Sequence, residues 1–237
     1  HKATSSIYVR WISITKLKNA IKPDDYHFAR TKLISIENTI NGKVLPLSYL
    51  AQVRGLADTE GLALHLDGAR VYNASVALDV DIKEISKYFD TMTICLSKGL
   101  GAPIGSLLFG DKTFIAKARR WRKMLGGGMR QVGILAAAAE IALKDNSKRL
   151  KEDHLNAKYL AEQLNQVDGI KVNTAYVETN MVFATLNSSL NINDIAKKLS
   201  EQGILISPGT PLRLVTHLNI NQADIDTFIT KLKELVS

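Results

Sequence analysis

What constrains this chain most is a recurrence: short, nearly continuous apolar runs separated by stretches of helical period. KLISIEN (Lys32–Asn38) reads as a strand. LPLSYLAQVRGLADTEG (Leu45–Gly61) follows as a helix, with Leu47, Leu50, Val53, Leu56 and Ala57 on one face and Pro46 suited to a first helical turn. LALHL (Leu62–Leu66) is a second strand, Val71–Phe89 carries helical patterning, Thr91–Leu96 is another strand, and IGSLLFG (Ile104–Gly110) the next. Strands alternating with helices predict an α/β fold with a mostly parallel sheet covered on both faces. Apolar runs without strict alternation predict the same, because a strand buried on both sides has no polar face to show.

After Gly110 the pattern changes. Lys112–Leu125 is helical, Gly126–Gly128 breaks it, and Gln131–Leu143 is alanine-rich with almost no charge. Such a helix is expected to be buried by protein on most sides, a subunit interface included. A long helix with a polar face, Ser147–Asn165, leads away. Strands at Ile170–Asn173 and Asn180–Leu186 precede a helix over Asn191–Gln202, with Asn193 as its predicted N-cap. Strands at Ile204–Ser207 and Leu212–Thr216 and a final helix over Gln222–Val236 complete the pattern. The chain thus divides into a larger unit over 1–145, with 1–15 carrying no readable pattern, and a smaller C-terminal α+β unit over 146–237.

Composition excludes several classes of function. No apolar run approaches the roughly 18 residues that a membrane span needs. The single cysteine, Cys95, sits inside an apolar run, so this chain alone builds neither a disulfide framework nor a zinc cluster, and its cysteine usage fits a reducing cytosol. The net charge of +8 permits contact with a polyanion. The densest basic cluster, AKARRWRKM (Ala116–Met124), reads as the solvated face of a helix, without the exposed aromatics or the module that nucleic-acid binding calls for. The opening HKATSSIYVRWIS has neither an initiator methionine nor the apolar stretch of a signal peptide, and reads as the downstream part of something longer.

In parallel α/β sheets ligands bind beyond the carboxyl ends of the strands. LALHL delivers Asp67, then Gly68, Ala69 and Arg70; TMTICL delivers Ser97 and Lys98. Taken singly, Asp-Gly after a strand is a turn and a strand-end lysine is a solvated surface residue. Together, one strand–helix–strand unit apart, they suit pyridoxal phosphate, which needs a lysine amine for its aldehyde and an acid for its ring nitrogen. A lysine held at a dry strand end loses hydration, which favours its neutral, nucleophilic amine. The glycines at 99, 101 and 105 let backbone approach the cofactor or a neighbouring subunit.

HLDGAR (His65–Arg70), CLSKGLGAPIGS (Cys95–Ser106), RRWRKMLGGGMRQVGILAAA (Arg119–Ala138), KPDDYHFARTKLISIENT (Lys22–Thr39) and LRLVTHLNI (Leu212–Ile220) stand in one collinear order. In that order they resemble the low-specificity L-threonine aldolases, of the β-eliminating lyase group of fold-type-I pyridoxal-phosphate enzymes. The resemblance runs from about Lys16 to the carboxyl terminus. It implies that Lys98 is the Schiff-base lysine, that Asp67 pairs with the pyridine nitrogen, and that Arg70 lies near the cofactor's phenolate oxygen and the substrate carboxylate. It implies further that Arg213 clamps that carboxylate and that Arg130 reaches a cofactor phosphate across a subunit boundary, in a homo-oligomer with shared sites. His65 is left as a packed strand histidine, and His217 as a weak candidate of the same kind. The implied reaction is retro-aldol cleavage of L-threonine or L-allo-threonine to glycine and acetaldehyde. Alternatives are another pyridoxal-phosphate lyase acting on a different β-substituted amino acid, or a truncated, non-catalytic remnant.

Two departures from the family pattern matter. Its members carry a preceding segment that supplies the Gly/Thr phosphate loop and the ring stacked on the pyridine, and neither is found in this sequence. Where the family reads Glu-Asn-Thr-His-Asn-Gly, this chain reads ENTINGK (Glu37–Lys43), with Ile40 in the histidine's place. An isoleucine neither hydrogen-bonds a hydroxyl nor carries a proton.

Overall fold

The computed structural model describes residues 11–236; the first ten residues of HKATSSIYVRWIS lie outside them. A short helix, α1 (Ile14–Ala20), leads to β1 (Leu33–Glu37), α2 (Leu47–Thr59), β2 (Ala63–Gly68), α3 (Val71–Leu78), α4 (Ile82–Ser86), β3 (Thr91–Cys95) and β4 (Ser106–Phe109). The strands lie in the order β1-β2-β3-β4, the first three parallel and β4 antiparallel to β3. Pro46 stands at the N-cap of α2, one position before the helical turn it was expected to open.

The inward side of the sheet is Ile34, Leu64, Leu66, Met92 and Ile94, packed with Leu50, Val53 and Ala57 of α2, Val71 and Ala74 of α3 and Ile85 of α4. The other side carries Leu33, Ser35, Glu37, Ala63, His65, Asp67, Thr91, Thr93 and Cys95, all exposed or half-buried. The expectation of helices on both faces is therefore corrected: among the described residues they cover one. The strands alternate after all, with small or polar side chains, Leu33 apart, at every second position. The next helix along the chain, α5 (Lys112–Met124), buries none of its residues.

The alanine-rich helix, α6 (Gly133–Ile141), buries little of its surface within one chain. Only Ala139 is buried in the chain by itself, while Ile134 and Ile141 are exposed. A π-helical turn at Ala142–Asn146 joins it to α7 (Ser147–Leu164). Leu150 of α7 belongs to the core beneath the first sheet, and Ala157, Leu160, Ala161 and Leu164 belong to a second core. That second core is completed by an antiparallel sheet, β5 (Ile170–Val172), β6 (Met181–Leu186) and β7 (Leu212–Val215), with α8 (Ile192–Ser200) and α9 (Gln222–Val236). Asn191, not Asn193, caps α8: its Oδ1 accepts the Asn193 backbone N–H at 3.0 Å, as an N-cap accepts from the N2 position. Ile204–Ser207 is not a strand; β7 pairs only with β6. The segment instead lines, with β7 and α9, a groove of about 610 Å³.

The two cores are tied together at the loop after β1. Thr179 Oγ1 donates to the Gly42 carbonyl at 2.6 Å, and the Val44 N–H donates to Glu178 Oε2 at 2.8 Å. Gly42 has φ +77°, and a Cβ placed there would come within 2.7 Å of Met181 Cβ. Gly42→Ala is accordingly expected to lower stability by about 1–3 kcal/mol, read as an earlier urea midpoint with an unchanged slope. No helix among the described residues is long and apolar enough to cross a membrane.

Candidate active site

The parallel register sets Glu37 of β1 beside Asp67 of β2, and Asp67 beside Thr93 of β3. The carboxyl ends of three strands thus converge on one edge, where Asp67–Arg70 leaves β2 and Ser97-Lys98 follows β3. Asp67 does make the expected turn, since its Oδ1 accepts the Ala69 N–H at 3.1 Å. Its Oδ2 has no hydrogen-bond partner among the described residues. Gly68 fits only without a side chain, because a Cβ there would collide with the Thr93 carbonyl of the next strand.

The loop carrying Lys98 is held by its own backbone. The Leu96 N–H donates to the Gly105 carbonyl, the Gly101 N–H to the Lys98 carbonyl and the Ala102 N–H to the Leu96 carbonyl, each at 2.9 Å. Asn146 Nδ2 donates to the Leu100 carbonyl at 2.8 Å, fastening the loop to the turn before α7. A Cβ on Gly99 would sit 3.2 Å from both Asn73 Oδ1 and Leu150 Cδ2, so this glycine serves close packing of the loop on α3 and α7. Lys98 itself is exposed, which corrects the expectation of a dry lysine in this chain. The strand ends at the open face of the sheet, and the side chain leaves the fold there.

Electrostatics show which side chains share a field. Burial raises the Glu37 carboxyl above its ordinary range, the neighbouring Asp67 carboxylate raises it further, and the cations of Lys98 and Arg70 draw it back. Arg70, half-buried at the start of α3, is held below its ordinary value by burial and then by the like charge of Arg213, against pulls from Cys95 and Glu37. Arg213 is exposed on β7, paired across the sheet with Phe183, while Leu212 before it is buried. The structure therefore brings together Asp67, Lys98, Arg70 and Arg213, with Arg213 supplied by the second unit. Arg130 is not among them. It lies exposed in the connection between α5 and α6, without an ion-pair or hydrogen-bond partner among the described residues.

Ile40 is half-buried and packs on the larger core, its backbone bridged to Lys43. His65 is half-buried on the open face, its Nδ1 2.7 Å from Thr91 Oγ1. His217 lines the groove beside Arg213, and its Nδ1 accepts the Asn219 N–H at 3.3 Å. Sequence reasoning missed Glu37 as a site residue, although the signal was available: Glu37 ends its apolar run just as Asp67 follows the next. The residues present fit pyridoxal phosphate. An amine and a carboxylate stand at the ends of adjacent parallel strands, with Gly68 left bare between them.

The sequence profile of the beta-eliminating lyase family matches residues 10–187. A low-specificity L-threonine aldolase of Escherichia coli K12 is 49% identical over 214 residues, which are 90% of this chain and 63% of that protein. A low-specificity L-threonine aldolase of Arabidopsis thaliana is 46% identical over 205 residues, 84% of this chain and 57% of that one. The chain spans less than two thirds of the length of either relative. Among solved structures, a threonine aldolase of Leishmania major superposes with a TM-score of 0.75 at 22% identity, over 95% of this chain and 68% of that one. An alanine–glyoxylate aminotransferase of Nostoc superposes with a TM-score of 0.69 at 18% identity, over 95% of this chain and 66% of that one. Likeness to enzymes of such different reactions establishes the fold and not the chemistry.

Proposed function

Since this chain belongs to the beta-eliminating lyase family, we propose that its site serves a pyridoxal-phosphate-dependent aldehyde-lyase that cleaves L-threonine or L-allo-threonine to glycine and acetaldehyde. The observation that carries this reading is the convergence of Asp67, Lys98 and Arg70 at adjacent strand ends, with Arg213 reaching the same field from β7. When bound, pyridoxal phosphate supplies the electron sink that allows the Cα–Cβ bond to break. Lys98 is the residue to hold its aldehyde carbon, and Asp67 Oδ2 is the acceptor to pair with its ring nitrogen. Arg70 and Arg213 would take the substrate carboxylate, which neutralises two guanidinium groups that otherwise repel one another. A carboxylate anchored from both units fixes which bond of Cα is presented for cleavage.

The reading extends to assembly. We assign Arg130 to a cofactor phosphate in a neighbouring subunit of a homo-oligomer. The exposed Trp121, Met124, Leu125 and Ile134 on and around α5 and α6 support a covered surface there. Threonine breakdown and glycine supply in the cytoplasm are the corresponding physiological place, which the lone cysteine supports.

The test is product analysis. Supplied with pyridoxal phosphate, the chain is expected to release glycine and acetaldehyde in equal amounts from threonine or allo-threonine. Release instead from other β-substituted amino acids, with none from these two, would transfer the reading to another lyase of the family. Ile40 favours a limited version of that second reading, since it leaves the substrate hydroxyl without the family's histidine. Ile40→His is expected to change the ratio of kcat/KM between the two epimers by about fivefold, the worth of one hydrogen bond. An unchanged ratio would remove Ile40 from the account.

A further inference from the structure

We propose that Thr216 is a positioning residue: by fastening the end of β7 to α7, it sets where Arg213 stands relative to the loop that carries Lys98. This deepens the reading of Arg213 as a carboxylate ligand and rests on it. Thr216 is buried and directly follows β7, the strand on which Arg213 lies. Its Oγ1 donates to the Asp153 carbonyl of α7 at 2.6 Å. Its backbone closes the end of the β6–β7 ladder on Asn180, which is also fully buried. There the Thr216 N–H donates to the Asn180 carbonyl at 3.0 Å, and Asn180 Nδ2 donates to the Thr216 carbonyl at 2.9 Å. A residue held by its hydroxyl, its N–H and its carbonyl together has little freedom to shift.

The same helix holds the Lys98 loop. Asn146, just before α7, donates from Nδ2 to the Leu100 carbonyl at 2.8 Å, and Leu150 of α7 lies against Gly99. From Asn146 to Asp153 is about two helical turns, about 10 Å along the axis, so one rigid element spans from the Lys98 loop to the end of β7. Leu150, in the core of the larger unit, keeps that element fixed there. Loop and strand also meet directly. Gly101 has φ +73°, and a Cβ placed on it would collide with Leu218 Cδ2, on the segment that continues from Thr216. The Lys98 loop and the Arg213 strand are thus joined twice, through α7 and through the contact of Gly101 with Leu218. Without the Thr216 hydroxyl, β7 keeps its ladder to β6 but loses its bond to α7, and Arg213 loses its fixed place. A grip made from two units depends on that place, because a carboxylate must meet both arginines at once.

The experiment titrates acetate into the full, cofactor-free chain and follows the Arg213 Nε–Hε resonance, in the unaltered protein, Thr216→Val and Thr216→Ser. Valine keeps the shape of threonine and removes the donor, whereas serine keeps the donor. Thr216→Val is expected to bind acetate about tenfold more weakly, the worth of one buried hydrogen bond, and Thr216→Ser to bind it as the unaltered chain does. Unchanged affinity in Thr216→Val overturns the proposal, and a lower urea midpoint beside it would leave Thr216 a role in folding alone. A serine variant as weak as the valine variant also overturns it, since the hydroxyl would then not be the part that matters. Should Thr216→Val fail to fold, Leu218→Ala takes its place, at a residue 41% exposed. Its expected weakening is about threefold, and an unchanged affinity overturns the proposal. If acetate gives no saturable shift at Arg213 in the unaltered chain, it is the carboxylate role of Arg213 that falls, and the proposal with it. The two failures are thereby told apart, and neither readout involves pyridoxal phosphate.

Discussion

Lys98→Ala is expected to abolish glycine release from threonine, a loss on the order of 10³-fold or more, while leaving the far-ultraviolet dichroism and the unfolding midpoint where they were. The two halves of this expectation have different physical sources. Activity falls because the amine is the group that holds the cofactor's aldehyde, and alanine offers no nucleophile. Stability holds because Lys98 is exposed and has no ion pair among the described residues. The loop around it is fixed by backbone hydrogen bonds at Leu96, Gly101 and Ala102 that alanine preserves. Glycine and acetaldehyde assays paired with urea unfolding of the same preparation check both halves. Activity surviving in Lys98→Ala would remove the lysine from the chemistry. Lost activity with lost stability would make it a folding residue.

The largest pH effect on stability is expected from a residue that the reaction does not use. His154 of α7 is buried, and its Nε2 lies 3.1 Å from Asn73 Nδ2 on α3. An amide nitrogen donates, so Nε2 accepts, and the ring carries its proton on Nδ1. Burial, aided by the Lys158 cation, lowers its pKa from 6.5 to about 4. The unfolded chain therefore binds a proton between these two values and the folded chain does not. The stability from a neutral His154 is fully present above pH 6.5 and is lost as pH falls toward 4. At 1.36 kcal/mol per unit, the loss between pH 7 and pH 4.5 is about 2–3 kcal/mol.

Asp153, next in the chain, is raised by burial against the pull of Arg149, so its contribution runs the other way and is greatest in acid. Comparing the chain with His154→Gln cancels the Asp153 contribution. The unaltered protein is expected to be the more stable at pH 7, and the gap between the two to shrink by about 2–3 kcal/mol at pH 4.5. Urea unfolding at both pH values measures it. Parallel pH profiles would mean that His154 is not held neutral in the fold.

Much of this fold was legible because local signals and packing agree. β1, β2 and β3 are short apolar runs, α2 carries its core residues at helical spacing, and both are found where the pattern put them. The covering of the sheet was not legible. Leu64, Leu66, Met92 and Ile94 make the runs look apolar throughout, but Ser35, His65, Thr91 and Thr93 fill the alternate positions, and only a count by twos separates the faces. Apolar composition likewise misplaced Ile204–Ser207, since a strand needs a partner ladder as well as β-branched residues. For α6, alanine content says what a helix can bury and not what covers it.

At the site, Asp67 and Lys98 were readable because chemistry that needs an acid and an amine at neighbouring strand ends has few alternatives. Arg70 and Arg213 needed the family resemblance, as nothing in their spacing of more than a hundred residues announces a shared field. Glu37 escaped because a strand-ending glutamate is unremarkable until the register puts it beside Asp67. His154 and Asp153 escaped because their burial depends on α3 and on the second core meeting α7, which is tertiary information.

The central question is whether Lys98 and Asp67 form a cofactor site in this chain. The most direct measurement is the visible absorption of the purified protein after pyridoxal phosphate is added and the excess removed, beside Lys98→Ala treated in the same way. Retained yellow colour that disappears in the variant is the predicted result. Colour that the variant keeps, or no colour in either, would contradict it.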